Sequence, residues 1–366
     1  MAQKHKNKVF IRLLWWVNLV FAGLILLANL TGKIAPASFS FLAILGLVYP
    51  ILVLFQIIFL VTWLLITNIR FLLPLAVLII SYSNIQLFVG MHCKKQTVTN
   101  QTINLFTYNV QGFSSGIVHP WDKALKQSVL TFAIHKKPSI ICLQEYKSSV
   151  QIPQNLKQFT RDGTYYFKNY FGGDHWRGNG LLLASRYPSV GHGFFNLKGG
   201  RIFAIYADLL IGKTTLRVFS IHLESIGLSS QDLKLLATPV SEKAIDQKGL
   251  SHWKKIYRKL THTFVIHQKQ IELLREQIKN SPYPVIIAGD FNDTPASYAY
   301  HQISKDLHDA FMDKACLMQS SYAGPLPFLR IDHVFVPKPF STLFYQRFEV
   351  NFSDHFPLMV GIKYRE

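Results

Sequence analysis

The first 121 residues contain no aspartate or glutamate, and this absence restricts the fold of the N-terminal part more than any other feature. Three apolar runs occupy about residues 10–30, 39–66 and 71–90. A helix needs about 20 apolar residues to cross a hydrocarbon core of about 30 Å, so each run is long enough to span a membrane. We therefore expect a membrane anchor of three transmembrane helices over residues 1–92. Buried core helices are one alternative, and a cleaved signal peptide is another, although it explains one run only.

The distribution of positive charge predicts the orientation of these helices. Lysine and arginine near the ends of spans are retained in the cytoplasm, and the segment MAQKHKNK precedes the first run. Three crossings from a cytoplasmic N-terminus leave Arg70 in a cytoplasmic turn and place the C-terminal part outside the cytoplasm. Lys94 and Lys95 follow the third run and favour the opposite orientation.

The rest of the chain is a basic domain of mixed composition. After residue 90 there are 33 basic residues against all 20 acidic ones. Such a domain attracts polyanions, so nucleic acid and anionic phospholipid fit its charge equally well.

The three cysteines do not predict a disulfide framework, since disulfide-stapled scaffolds are small and richer in cysteine. Cys142 lies in an apolar strand pattern and Cys316 in a separate segment, and we expect both to be small buried hydrophobes. Cys93, directly after the third run, could carry a lipid.

Strand patterns dominate the chain after a polar linker at 93–102. Helical patterns at 121–136 and 262–280 each end before a proline, and the Ile211–Thr214 turn predicts a hairpin. Strands alternating with helices predict an α/β domain over 103–366 with both sheet faces covered. The predicted strands are INLFTYNV, SIICLQE, GLLLASRYP, RIFAIYADLL, TLRVFSIHL, PVIIAGDFN, RIDHVFV and HFPLMVGIKY.

Aromatic and basic residues alternate at 252–259, in HWKKIYRK. This segment is either a lid that touches anionic lipid or substrate phosphate, or a solvated amphipathic helix. We favour the helix, because charge runs usually face water.

Polar residues recur at the carboxyl ends of the predicted strands, where the loops of an α/β domain build a site. Each residue alone is more often a turn or cap residue than a catalyst. Together they supply what hydrolysis of a phosphate ester needs. The set comprises Asn109, Glu145, His222, Asp290, Asn292, Asp332, Asp354 and His355.

Hard oxygen ligands in this set predict a site for Mg²⁺ or Mn²⁺. His355 is the candidate general base, and Asp332 would fix its tautomer and favour its protonated form. His222 would donate a hydrogen bond to a nonbridging phosphate oxygen as negative charge develops there. The candidate metal ligands are Glu145, Asn109, Asp354 and Asp290.

In this order, the segments TYN, LQE, GNGLLLASRYP, SIHLES, AGDFND, LRIDHVFV and SDHFPL resemble those of the endonuclease/exonuclease/phosphatase superfamily. That superfamily includes pancreatic-type deoxyribonucleases, abasic-site endonucleases, neutral sphingomyelinases and inositol polyphosphate 5-phosphatases. The resemblance covers about residues 103–363 and implies a four-layer α/β/β/α sandwich of two packed mixed sheets with the metal at one end. It also implies that Glu145 is the principal metal ligand, that Asp290 and Asn292 align water and bind phosphate, and that Asp332 pairs with His355.

Four further residues bear on this resemblance. His222 is similar to the histidine of the deoxyribonuclease and sphingomyelinase branches, and Asn179 stands where deoxyribonucleases carry a carboxylate that orients it. Arg177 either reaches a phosphate or is a surface arginine. His333 follows Asp332 on a strand and should face the other side of the sheet, in a structural role. The loop SSYAGPLPFLRID resembles one in bacterial membrane-attached members, which implies a bacterial inner-membrane protein.

The sequence thus predicts a membrane-anchored, metal-dependent phosphoesterase that uses in-line attack of activated water on nucleic acid or a phospholipid headgroup. The alternative is a catalytically inactive membrane-bound binding or scaffold protein that keeps the fold. A transporter is disfavoured, because the centres of the apolar runs contain no ionisable residue. The sequence indicates no protein partner.

Overall fold

The computed structural model describes residues 2–93, 102–114, 123–148, 152–171, 178–198, 200–228, 232, 247–326 and 328–364. Its N-terminal part is helical. It contains α1 (Ala2–Ala28), α2 (Ser40–Leu47), α3 (Tyr49–Leu65), α4 (Leu72–Ile80) and α5 (Tyr82–Ile85), with 3-10 turns at Ile69–Phe71 and Gln86–Phe88.

One helix of the described N-terminal part, Lys8–Ala28, is long and apolar enough to cross a membrane. Two further spans exist only if a bent pair of helices counts as one span. Helices α2 and α3 meet at 64°, and Ile69–Ile80 meets Tyr82–Phe88 at 58°. Pro50 lies in the first turn of α3 and, lacking an N–H, favours a new helix start there.

The remaining chain forms two six-stranded mixed sheets and one two-stranded sheet. The strands are β1 (Val89–Met91), β2 (Ile103–Asn109), β3 (Ile140–Ser148), β4 (Thr164–Asn169), β5 (Gly178–Ser185), β6 (Ser189–Asn196), β7 (Ile202–Ile211), β8 (Thr214–His222), β9 (Val285–Asp290), β10 (Leu307–Asp309), β11 (Cys316–Met318), β12 (Asp332–Pro337), β13 (Phe340–Arg347) and β14 (Leu358–Tyr364). One six-stranded sheet has the order β10-β12-β9-β8-β7-β6, the other has the order β13-β14-β2-β3-β5-β4, and β1 pairs with β11. The helices are α6 (Lys123–His135), α7 (Gln154–Phe159), α8 (Gln247–Lys279), α9 (Tyr298–Ser304) and α10 (Ala310–Lys314), and a 3-10 turn covers Gln111–Phe113.

Apolar packing confirms the four-layer α/β/β/α sandwich. Leu105 of one sheet and Ile205 of the other belong to the core between the sheets. Leu130 of α6 packs on the outer face of the sheet that contains β2, and Ile271 of α8 packs with Ile303 of α9 on the outer face of the sheet that contains β9. The sheets are therefore covered on both sides, as the continuous apolar strands predict.

All eight predicted strands are present, and the hairpin joins β7 to β8 with Ile211 paired to Thr214. Strands β1, β4, β6, β10, β11 and β13 were missed. Strand β6, for example, alternates between half-buried and exposed residues and shows no continuous apolar run. The predicted start of the second long helix at residue 262 is wrong, since α8 begins at Gln247. Segment 252–259 is helical, with Lys254 exposed and Ile256 buried, as an amphipathic helix requires.

The expectation for Cys316 is wrong, because it forms a disulfide with Cys93 across 223 positions of sequence. Strand β1 pairs antiparallel with β11 and brings the two cysteines together. A pairing between strands so far apart in sequence has no local signal. Cys142 is a buried free thiol, as predicted.

The helical N-terminal part is docked on the sandwich. The Thr294 hydroxyl donates to the carbonyl of Gly46 over 2.9 Å, and the Thr31 hydroxyl donates to the carbonyl of Ala296. The guanidinium of Arg330 donates to the carbonyl of Leu87 over 2.9 Å. These hydrogen bonds and the disulfide fix the helices against the strands.

Candidate active site

The candidate site lies where the ends of strands from both sheets meet. His222 and Asp290 are direct partners at the ends of the parallel strands β8 and β9. Asp332 is paired with Asp290 from the other side, at the start of β12. Asn109 ends β2, and its side chain reaches Glu145 of β3 and Asp290, so the two sheets contribute to one site.

The backbone of Glu145 has an unusual conformation. Its φ is +54°, which is uncommon for a residue with a Cβ, and the pairing of β3 with β5 shifts register between Leu143 and Tyr146. A β-bulge of this kind redirects a side chain. The Glu145 N–H donates to the Tyr170 hydroxyl over 2.8 Å and holds the bulge in place. A strained backbone at this position fits a functional role for Glu145.

The amide of Asn109 joins two carboxylates. Its Nδ2 donates to Glu145 Oε1 over 3.3 Å and to Asp290 Oδ2 over 2.9 Å. Its Oδ1 accepts from the backbone N–H of Gln111 over 3.0 Å, and that N–H can only donate. The oxygen of Asn109 is therefore turned away from the carboxylates, and its amide N–H groups orient the metal-ligand candidates Glu145 and Asp290. The second lone pair of Oδ1 is left for the predicted role of Asn109 as a ligand, which stays a prediction.

Asp290 is fully buried, and burial raises the pKa of its carboxyl to about 7, although His355 opposes the shift. The backbone N–H of Asn292 donates to Asp290 Oδ1 over 2.8 Å. The side chain of Asn292 donates to the carbonyl of Leu223 over 3.1 Å, and its φ of +49° is one that asparagine tolerates. Asn292 is thereby held directly beside Asp290.

His355 and Asp332 form a buried pair, with 2.7 Å between His355 Nδ1 and Asp332 Oδ2. The second ring nitrogen of His355 faces Asp290 Oδ2 over 3.7 Å. Burial alone would lower the pKa of His355, but Asp332, Asp290 and Asp354 together outweigh it and raise this pKa to about 10. The imidazole is therefore protonated at neutral pH.

His222 has a different protonation state. Burial, followed by the charges of Arg201 and His355, holds its pKa well below the ordinary value. Arg201 Nη2 and the Tyr170 hydroxyl both lie 2.6 Å from Nδ1 of His222. Because a guanidinium can only donate, Nδ1 accepts and the proton of the neutral ring is on Nε2. This N–H faces Asp290 Oδ2 over 3.5 Å, so His222 presents a donor to the site.

Tyr170 and Arg201 were missed by the sequence reasoning. Arg201 lies flat on Tyr170, with its guanidinium carbon 3.5 Å from the ring centroid. Both residues lie outside the strand-end motifs, and only the register of the sheets brings them to His222. Asn179, which the resemblance implied as the orienting residue, instead has its side chain beside Gly112.

Arg177 was also predicted to belong to the site, but it lies outside the described residues. His333 is buried on the opposite face from Asp332, accepts from Arg330 Nη1 over 2.9 Å and lies 3.1 Å from the carbonyl of Asp293. These contacts agree with a structural role for His333.

The described residues offer a suitable donor set for a hard divalent cation. A cavity of about 290 Å³ is lined by Glu145, Asp290 and Asp354. One donor atom each of Asp290, Asp332 and His355 lie within 4.8 Å of one another, but Asp332 already accepts from His355. The Glu145 carboxylate is 28% exposed in this cavity, so it and Asp354 remain accessible to a cation. Carboxylate oxygens of this kind fit Mg²⁺ or Mn²⁺.

Comparison with known proteins gives two family matches. Residues 106–355 match the Endonuclease/Exonuclease/phosphatase family, and residues 11–88 match a domain of unknown function (DUF8431). No curated protein matches the sequence.

Solved structures share the fold at low sequence identity. An endonuclease/exonuclease/phosphatase from Bacteroides vulgatus is 15% identical with a TM-score of 0.51, and the alignment covers 72% of this chain and 99% of that one. A protein of the same description from Beutenbergia cavernae is 16% identical with a TM-score of 0.50, covering 72% of each chain. The human Nocturnin catalytic domain with bound sulfate anion is 15% identical with a TM-score of 0.48, covering 74% and 97%.

The family match extends over 250 of the 366 residues, from β2 to the loop that carries His355. It includes every strand end at which the described polar side chains converge. The chain therefore belongs to the endonuclease/exonuclease/phosphatase family and is a hydrolase of the phosphoesterase class.

Proposed function

We propose that this protein is a membrane-anchored, divalent-metal-dependent phosphoesterase that cleaves its substrate by in-line attack of water. The observation that carries the proposal is the position of the Asp332–His355 pair. It lies against Asp290, in the same cavity as the accessible carboxylates of Glu145 and Asp354. Such a combination of hard oxygen ligands and a proton-exchanging pair serves phosphate ester hydrolysis.

Glu145, Asp290 and Asp354 would hold the cation, and Asn109 would orient the first two through its amide N–H. When bound, the metal neutralises charge on the phosphoryl oxygens and on the leaving oxygen. His222 donates Nε2–H to a nonbridging oxygen, where negative charge increases in the transition state.

Asp290 and Asn292 align the attacking water, and Asp290, whose pKa burial raises to about 7, takes its proton. The oxygen of the water forms the new bond to phosphorus, the bond to the leaving oxygen breaks, and that oxygen gains a proton. His355 is already protonated, so it does not take the proton of the water directly. Its Nε2 lies 3.7 Å from Asp290 Oδ2, so it can give its own proton to the leaving oxygen and recover the one held by Asp290.

The charges of the N-terminal helices support an extracytoplasmic catalytic domain. Arg70 lies 5.3 Å from the ring centroid of Trp15 and 5.4 Å from that of Trp63, so the N-terminal half of the span Lys8–Ala28 lies beside the end of α3. The other end of α1 leads to Thr31, which contacts Ala296 of the sandwich. Positive charge on the side away from the sandwich predicts that the sandwich is outside the cytoplasm.

The Cys93–Cys316 disulfide supports the same orientation, because disulfides persist in oxidising compartments. Lys94 and Lys95, which favoured the opposite orientation, lie outside the described residues. We therefore place the protein in a bacterial inner membrane with its active site facing outward.

Hydrolysis of bis-p-nitrophenyl phosphate by the full-length chain in detergent tests the proposed chemistry. We expect turnover with Mg²⁺ or Mn²⁺, loss of turnover with EDTA, and a decrease of roughly 10²–10⁴-fold in His355→Ala. His135→Ala is the matched control, because this histidine is exposed in the last turn of α6. Turnover that survives both EDTA and His355→Ala would refute the proposal.

A further inference from the structure

The cavity of the candidate site has a mixed lining. Besides its carboxylates and His355, it is lined by six aliphatic side chains, which we call the aliphatic wall: Leu47, Ile226, Leu228, Leu326, Leu329 and Ile331. Neither phosphate nor sugar gains from contact with such a wall, whereas an apolar substituent does. The cavity therefore suits a phosphate ester with an apolar group close to the phosphorus.

One part of this wall comes from the N-terminal helices. Leu47 is the last residue of α2, and α2 packs against α8 in a cluster that includes Ile256, Leu260 and Phe264. Ile226 and Leu228 belong to the same cluster, and the hydrogen bond from Thr294 to the carbonyl of Gly46 holds the end of α2 in place. The helical part is thus a component of the substrate cavity and not a separate tether.

The surface that follows Leu47 along the chain is strongly apolar. Helix α3 begins two residues later and exposes Leu54, Ile58 and Leu65, with Leu65 79% exposed. A surface of this kind is suited to contact with lipid chains, in keeping with the membrane span assigned to α1. The aliphatic wall of the cavity therefore lies directly before a lipid-facing helix.

The exposed side of α8 complements an anionic membrane surface. Lys254, Lys255 and Arg258 are exposed on the same turns whose Ile256 and Leu260 pack against α2. Basic residues at the level of lipid headgroups are attracted to anionic lipid.

We propose that the substrate is a membrane lipid, whose phosphate ester binds between Glu145 and His355 and whose first methylenes contact Leu47, Ile226 and Leu228. This inference depends on the proposed function and specifies its substrate class. A nucleic acid would leave the aliphatic wall uncovered, since its phosphates are flanked by sugars.

Binding of alkyl phosphates tests the wall without requiring turnover. Calorimetry on the full-length chain in zwitterionic nanodiscs with Mg²⁺ would give Kd for butyl and octyl phosphate. Because each buried methylene increases the affinity severalfold, we expect octyl phosphate to bind at least roughly tenfold tighter than butyl phosphate. In Leu47→Gln and Ile226→Gln this gain should be lost. The gain in affinity should be kept in Leu54→Gln, which changes an exposed position on α3 outside the cavity. This control accounts for alkyl phosphate that partitions into the disc.

An equal gain in all four proteins, or no gain in the wild type, would overturn the lipid assignment. Turnover provides the second comparison, with dioleoyl phosphatidylglycerol vesicles and a single-stranded DNA oligonucleotide as substrates. Preferential hydrolysis of the lipid supports the inference, and hydrolysis of the oligonucleotide alone overturns it. Failure of the chain to hydrolyse bis-p-nitrophenyl phosphate would instead refute the proposed function, so the two failures are distinguishable.

Discussion

The substitution Asp332→Asn tests the electrostatics of the site most sharply. It keeps the shape of the side chain but removes the charge that lies 2.7 Å from His355 Nδ1. In the native chain the pKa of His355 is about 10 against an ordinary value of 6.5. One pKa unit corresponds to about 1.4 kcal/mol, so burial and the carboxylates together favour the protonated ring by a net of about 5 kcal/mol.

Asp332 makes the short contact with the ring and contributes the largest share of this preference. A hydrogen bond to a charged partner contributes about 1.5–3 kcal/mol, so Asp332→Asn should lower the pKa of His355 by roughly one to two units. Because the native pKa is raised above its unfolded value, the stabilisation is complete below pH 6.5 and is lost as pH rises through 10. In the variant this loss should be complete at a lower pH.

Imidazole NMR signals of the metal-free full-length chain, titrated between pH 5 and 11, would measure the pKa of His355 directly. The metal-dependent rate should also fall by roughly 10²-fold or more, because the Asp332 carboxylate no longer orients and stabilises the protonated ring. An unchanged pKa of His355 in the variant would refute this account of the pair.

Three further predictions concern the framework of the site. Gly289→Ala should lower the free energy of unfolding by more than about 3 kcal/mol in thermal melts, because a Cβ at φ +146° would lie 2.1 Å from a carbonyl oxygen of β8. The control Gly212→Ala, in open space at φ +62°, should lower it by about 1 kcal/mol. Arg201→Gln should raise the pKa of His222, because the charge of Arg201 helps to depress it in the native chain. The native fold loses stability as pH falls below 6.5, since its His222 resists protonation, and this loss should be smaller for the variant in melts between pH 5 and 7. An unchanged pH dependence of stability would contradict this. Cys93→Ser should lower Tm, and a reductant should lower the Tm of the native chain but not of this variant; equal sensitivity of both would contradict the disulfide.

Local patterns were sufficient to predict an α/β domain with covered sheets, and the four-layer sandwich was implied by the family resemblance. The apolar strand ending in Asp290 carries polar residues where the chain leaves a sheet, as predicted. Asp332 and His355 instead lie at the start of β12 and before β14, because these strands run antiparallel to β9 and β2. The burial of Asp290 and its neighbours then follows from the fold, because strands of both sheets end at one place.

Contacts between segments distant in sequence could not be predicted in the same way. Tyr170 and Arg201 meet His222 only because the strands around them align, and the amide orientation of Asn109 depends on the N–H of Gln111. The position of Leu47 in the cavity depends on tertiary packing of α2 against α8, which hydropathy alone does not reveal.

Metal binding by the full-length chain tests the central claim most directly. Mn²⁺ titrated into EDTA-stripped protein, followed by calorimetry, should show a site that is lost in Glu145→Gln. The matched variant Glu272→Gln, at an exposed glutamate of α8, should keep it. Equal Mn²⁺ affinity in Glu145→Gln and the native chain would contradict the claim that Glu145 binds the metal, and with it the assignment of the site to metal-dependent hydrolysis.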